Sequence, residues 1–192
     1  MSRLVLICGM PGAGKTTLAR RMVQERLLVR LCPDEWLAGL GVDLDDEEIR
    51  LRVEQVLWSH AQELLAAGVD TLLENGLWMR EERDEKRQWA RRHGVEVELT
   101  VLDVPLEERW RRIERRNASP EAGHVRLTYA DLEHYQQFFE PPDEDELALF
   151  ERPPAGLPTA RLVWTTRQQP DPRPVDGPGE SVDGPPPICG AT

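Results

Sequence analysis

Residues 9 to 16 read Gly9-Met10-Pro11-Gly12-Ala13-Gly14-Lys15-Thr16, the spacing G-x-x-x-x-G-K-T. Glycines at positions 12 and 14 open backbone angles closed to other residues, so successive N–H groups can turn inward around a phosphate. A lysine directly after them can reach β- and γ-phosphates, and the next hydroxyl can ligate Mg²⁺. These residue types at this spacing bind a nucleoside triphosphate, ATP or GTP, through Gly9, Pro11, Gly12, Ala13, Gly14, Lys15, Thr16 and Thr17. Thr16 is the expected metal contact. Lys15 is one of only two lysines in the chain, the other being Lys86.

A phosphate loop does not say what is done with the phosphate. Three other segments carry side chains suited to transfer. Asp34, in Cys32-Pro33-Asp34-Glu35-Trp36, follows a short apolar run and can accept a proton from an attacking hydroxyl. The competing reading is a cap for a helix beginning at Glu35. The segment Thr71-Leu72-Leu73-Glu74-Asn75-Gly76 ends an apolar run on an acid, as a Mg²⁺-holding carboxylate would. Glu74 and Asn75 are therefore placed on the substrate side of the site, Asn75 as a polar contact for the acceptor. Finally, Leu106 to Asn117 carries Arg109, Arg112 and Arg116 on one helical stripe beside Leu106, Trp110 and Ile113. Guanidiniums there can hold phosphates and neutralise charge growing in transfer, with Arg109 and Arg112 on the nucleotide and Arg112 and Arg116 on the reacting group. Arg111 and Arg115 point away from that stripe.

The elements that must position these groups alternate between apolar β runs and amphipathic helices, which predicts a parallel sheet flanked by helices. Strands are expected at 3–8, 28–31, 69–74, 95–102 and 161–165. Helices are expected from Lys15 to Glu25, from about Asp45 to a cap at Gly68, from Met79 to His93, and from Pro105 as a first helical position. The long second helix is expected to bury Ile49, Val53, Val56, Leu57, His60 and Leu64. Two shorter helices are expected near 128–139 and 143–150, with Tyr129, Tyr135, Phe138 and Phe139 packing the core and lining part of an acceptor pocket.

With 192 residues and 40% hydrophobic content, one domain with a sizeable core is the expectation. It spans residues 1–169, with lid and acceptor region at about 105–158. Residues 170–192, with seven prolines and four glycines, read as a disordered tail. The net charge of −11 argues against nucleic acid as the main partner. No apolar run approaches a membrane span, the N-terminal strand lacks a signal-peptide pattern, and three scattered cysteines suit a reducing cytoplasm.

Taken together, four stretches resemble the small P-loop kinases of the AAA_33 group, a set that includes chloramphenicol phosphotransferases, zeta toxins, tunicamycin-resistance proteins and polynucleotide kinases. They are Gly9 to Thr17, Pro33-Asp34-Glu35-Trp36, Leu73-Glu74-Asn75-Gly76 and the arginine helix ending Arg115-Arg116-Asn117. The resemblance covers roughly residues 3 to 166. It implies a P-loop NTPase fold with a five-stranded sheet ordered 2-3-1-4-5, a general base at Asp34, and a mobile arginine lid around Arg109 to Arg116. The acceptor regions of those enzymes do not map onto residues 119 to 158, so the resemblance implies no acceptor. The expected activity is transfer of the γ-phosphate of ATP or GTP, with Mg²⁺, to a hydroxyl of a small molecule such as an antibiotic or a nucleoside. The alternatives are a regulatory NTPase and a toxin-like nucleotide-sugar kinase.

Overall fold

The computed structural model describes residues 1–43, 46–118 and 125–151. Its element order is β1 (Arg3–Gly9), α1 (Lys15–Glu25), β2 (Val29–Leu31), α2 (Pro33–Gly39), α3 (Glu47–Ala66), β3 (Thr71–Gly76), α4 (Arg80–Arg92), β4 (Glu96–Leu102), α5 (Leu106–Asn117), α6 (Tyr129–Gln136) and α7 (Glu144–Leu147). The four described strands form one parallel sheet ordered β2-β3-β1-β4. This is the α/β architecture of P-loop NTPases. The expected fifth strand at 161–165 and the expected tail at 170–192 lie outside the described residues. After α7 the chain returns to the sheet, where Glu151 N–H donates to the Val97 carbonyl at 2.8 Å and pairs parallel with Glu98.

Both faces of β1 are apolar because helices cover both. Leu4, Leu6 and Cys8 pack with Leu57, Ala61 and Leu65 of α3 and with Ala90 of α4. Val5 and Ile7 pack with Leu18, Ala19 and Met22 of α1. Helix α3 is turned by about one residue from the expected stripe. Arg50, Leu57, Trp58, Ala61 and Leu65 are buried, while Val56 is 61% exposed. Apolar periodicity misses this because the inward face begins with a charge, Arg50. Pro105 stands just outside α5 as its N-cap rather than at the first helical position. Among the described residues, no helix is long and apolar enough to cross a membrane.

The register of β1 against β3 steps between Leu6↔Leu73 and Cys8↔Gly76, so Glu74 and Asn75 together face the single residue Ile7. Such a bulge re-aims side chains at a strand end. Both residues are buried there.

Candidate active site

The carboxyl ends of β1, β3 and β2 lie side by side and deliver the phosphate loop, Glu74 and Asp34 to one edge of the sheet. Gly12 and Gly14 have φ values of 77° and 100°, in the left-handed region that favours glycine. Gly12 has a second reason to lack a side chain, because a Cβ there would stand 2.7 Å from the Arg109 carbonyl. The loop thus seats directly against the backbone of α5. Gly14 is the N-cap of α1, which turns that helix's N–H groups toward the loop.

Lys15 is buried. Its Nζ donates to the Gly9 carbonyl at 3.0 Å and the Met10 carbonyl at 3.3 Å, so the ammonium lies folded over the loop. The Thr16 hydroxyl donates to Glu74 Oε1. Glu74 Oε2 accepts from Arg30 Nε at 2.6 Å, and Arg30 Nη1 donates to Glu35 at 2.8 Å. Burial works against the Arg30 charge, but the Glu35 hydrogen bond and the Glu74 charge hold its pKa above the ordinary guanidinium value. A hydroxyl beside a fully buried carboxylate is a hard-oxygen donor pair, which fits Mg²⁺ shared with phosphate oxygens. Among the described residues there is no group of three or more His, Cys, Asp or Glu that could hold a metal. Such a shared arrangement does not require one.

Asp34 sits in the first turn of α2, whose N-cap is Cys32, so it is a helical residue rather than the cap. Its buried Oδ1 accepts from Arg50 Nη1 at 2.7 Å. Glu54 Oε1 stands 3.8 Å from the same guanidinium nitrogen and has no hydrogen bond. Burial pushes the Glu54 carboxyl up to about 8 against the pull of Arg50, with the charges of Glu82 and Asp34 adding to the rise.

The three arginines of the α5 stripe separate. Arg112 Nη1 donates to the Gly12 and Ala13 carbonyls at 3.4 and 3.2 Å, while Nε is held by Glu108 at 3.0 Å. Arg109 is buried. Its Nε donates to the Val104 carbonyl and its Nη2 to Gln136, its Nη1 has no hydrogen bond, and burial lowers its pKa. Arg116 Nη2 donates to the Val125 carbonyl at 3.0 Å. Arg112 thus rests its side chain on the loop.

Beyond Glu74 the chain makes a turn that sequence reasoning missed. Asn75 is buried with Oδ1 lacking a hydrogen bond, Gly76 has φ 86°, and Leu77 has φ 49°. A leucine in the left-handed region is strained and needs its surroundings to hold it. Arg83 of α4 does so, donating through Nη1 to the Leu77 and Trp78 carbonyls at 3.0 Å each. Its remaining nitrogens form a buried two-pronged pair with Glu146 of α7, at 2.6 and 2.9 Å. Trp78 in turn donates its indole N–H to the Gly9 carbonyl at 3.3 Å and packs 5.4 Å from the Tyr135 ring. Burial raises the thiols of Cys8 and Cys32 to about 12, so neither is a nucleophile near neutral pH.

The model of the AAA_33 family, described as an AAA domain, matches residues 4–142. The chain belongs to this family. Among solved structures it is similar to a sugar kinase from Janibacter sp. HTCC2649, with 27% identity over 76% of this chain and 82% of that one, at a TM-score of 0.54. A chain of the Pnkp1/Rnl/Hen1 RNA repair complex matches at 20% identity over 71% of this chain, at a TM-score of 0.60. This protein spans only 43% of that chain's length. Kti12 of Chaetomium thermophilum, in complex with ADP-AlF3, matches at 17% identity over 73% of this chain and 81% of that one, at a TM-score of 0.56. The last two likenesses carry the fold alone. No curated protein matches the sequence. The chain is therefore a member of the AAA_33 family with the fold of a small P-loop kinase.

Proposed function

We propose that the protein is a kinase that moves the γ-phosphate of ATP or GTP to a hydroxyl of a small molecule. The observation that carries this reading is the buried Asp34–Arg50 pair on the same sheet edge as the phosphate loop. A regulatory NTPase needs no carboxylate fixed beside its phosphate site for an organic acceptor. A kinase needs one to take the hydroxyl proton as the oxygen attacks phosphorus. Arg50 fixes the carboxylate's orientation. Lys15 supplies charge to the β- and γ-phosphates, and Arg112 adds a guanidinium from the lid, with Arg116 one turn further along α5. Bound Mg²⁺ would neutralise charge across the phosphates, held on the protein side by Thr16 with Glu74 behind it. The cysteines among the described residues, Cys8 and Cys32, are both free, which supports a reducing cytoplasm as its compartment.

The Janibacter neighbour, named a sugar kinase, supports a polyhydroxylated acceptor. The deciding test offers labelled ATP and GTP, with Mg²⁺, against sugars, sugar acids, nucleosides and hydroxylated antibiotics. Label appearing on one acceptor class establishes the reading. Release of free phosphate alone, at a rate no acceptor changes, overturns it in favour of an NTPase.

A further inference from the structure

Both carbonyls that hold Lys15 have a second donor. The Met10 carbonyl also accepts from Ala13 N–H at 3.1 Å, and the Gly9 carbonyl from the Trp78 indole at 3.3 Å. The first is an ordinary loop turn. The second comes from 69 residues away, through a tryptophan that is 1% exposed and built into place. The left-handed Gly76 and Leu77 turn the chain out of β3, Arg83 grips the carbonyls of Leu77 and Trp78, and Tyr135 packs on the indole. Gly9 itself is buried, so water cannot replace a lost donor on its carbonyl.

We propose that Trp78 is a positioning residue for triphosphate binding, whose indole N–H keeps the Gly9 carbonyl satisfied when Lys15 leaves it for the phosphates. The inference rests on the reading of the loop as a triphosphate site. An ammonium has three protons. Lys15 gives two hydrogen bonds to loop carbonyls and must redirect them to bridge β- and γ-oxygens. Without a second donor, that move would strand a buried acceptor, and triphosphate affinity would fall accordingly. The indole removes that penalty and leaves the loop's shape unchanged between the two states. It also ties the turn after Glu74, on the acceptor side, to the first residue of the phosphate loop.

The test uses Trp78→Phe, which keeps a ring against Tyr135 and removes the N–H. In the absence of nucleotide Lys15 still serves Gly9, so the melting temperature should fall only by the several degrees that the smaller buried ring costs. The Kd for Mg–ATP or Mg–GTP should rise roughly tenfold. A second readout separates this role from simple packing. Lys15→Ala and Trp78→Phe each leave Gly9 one donor, so without nucleotide their combination should lower the melting temperature by more than the two single losses added together. Should Trp78→Phe fail to fold, the wild-type indole proton of Trp78, assigned through its contacts with Tyr135, should move downfield as triphosphate is added. An unchanged Kd in a folded Trp78→Phe protein, additive melting losses, or an indole resonance that stays put while nucleotide binds would each overturn the hand-over. Wild-type protein that binds neither triphosphate would instead overturn the underlying reading of the loop.

Discussion

The Asp34 carboxylate has two jobs that one substitution can separate. It neutralises Arg50, which is 2% exposed, and in the proposed reaction it accepts the acceptor's proton. Asp34→Asn preserves volume and a hydrogen-bonding oxygen but cannot accept the proton. Turnover should fall by roughly 10²–10⁴-fold, while the Kd for triphosphate stays within about twofold, measured on the same preparation. Retention of full turnover would move the base elsewhere, with Glu74 next to test. Glu54 gives the neighbourhood a pH signature. Its folded-state pKa of about 8 lies above the ordinary 4.5, so the folded protein holds a proton there that the unfolded chain has released. Its contribution to stability is complete below about pH 4.5 and is lost as pH rises toward 8. Glu54→Gln removes the titration. Wild type should therefore lose stability relative to Glu54→Gln between pH 5 and 8, by on the order of a few kcal/mol. Parallel thermal melts across that range check it, and equal slopes for the two proteins would show that Glu54 ionises normally.

At the level of elements, the pair Arg83–Glu146 joins α4 to α7 and holds the strained turn between β3 and α4. Glu146→Gln should cost about 3–5 kcal/mol, because it leaves a buried guanidinium uncompensated. Replacing both partners, as Arg83→Met with Glu146→Leu, should recover only part of that loss. The Leu77 and Trp78 carbonyls would then lack the donor that Arg83 supplies. Chemical denaturation of the three proteins checks the order, and full recovery in the double variant would mean that the carbonyl contacts contribute nothing. This pair also marks where sequence reading ends. The loop, α1, β4 and the carboxyl-edge position of Asp34 were legible because each follows from local residue types and periodicity. The fourfold run of left-handed or bulged geometry from Glu74 to Leu77 was not, since only Gly76 announces it. Arg50, Arg83 and Glu146 look like solvated charge in a chain with 31% charged residues. What makes them structural is pairing across 16 and 63 positions, which no local pattern records. The same blindness turned the α3 stripe by one residue. The separation of Arg109 from Arg112 likewise depends on which face of α5 meets Gly12, a contact set by tertiary packing.

Across the whole molecule, the sheet order determines what nucleotide binding can do to stability. The loop leaves β1, which pairs with both β3 and β4, so a ligand held there is tied to the centre of the fold rather than to an edge. Unfolding must release it, and a ligand at one hundred times its Kd then adds about 2.7 kcal/mol. For a chain of 192 residues this corresponds to a rise in melting temperature of roughly 5–10 °C with Mg–ATP or Mg–GTP. Lys15→Ala should abolish most of that rise. Without nucleotide, however, its melting temperature should move by only a few degrees, because Gly9 keeps the Trp78 indole and Met10 keeps the Ala13 N–H. Loss of the ligand-induced rise in a protein that is itself badly destabilised would show only that Lys15 is a structural residue. A folded Lys15→Ala protein that still gains 5–10 °C would show that the triphosphate is held by something other than this loop.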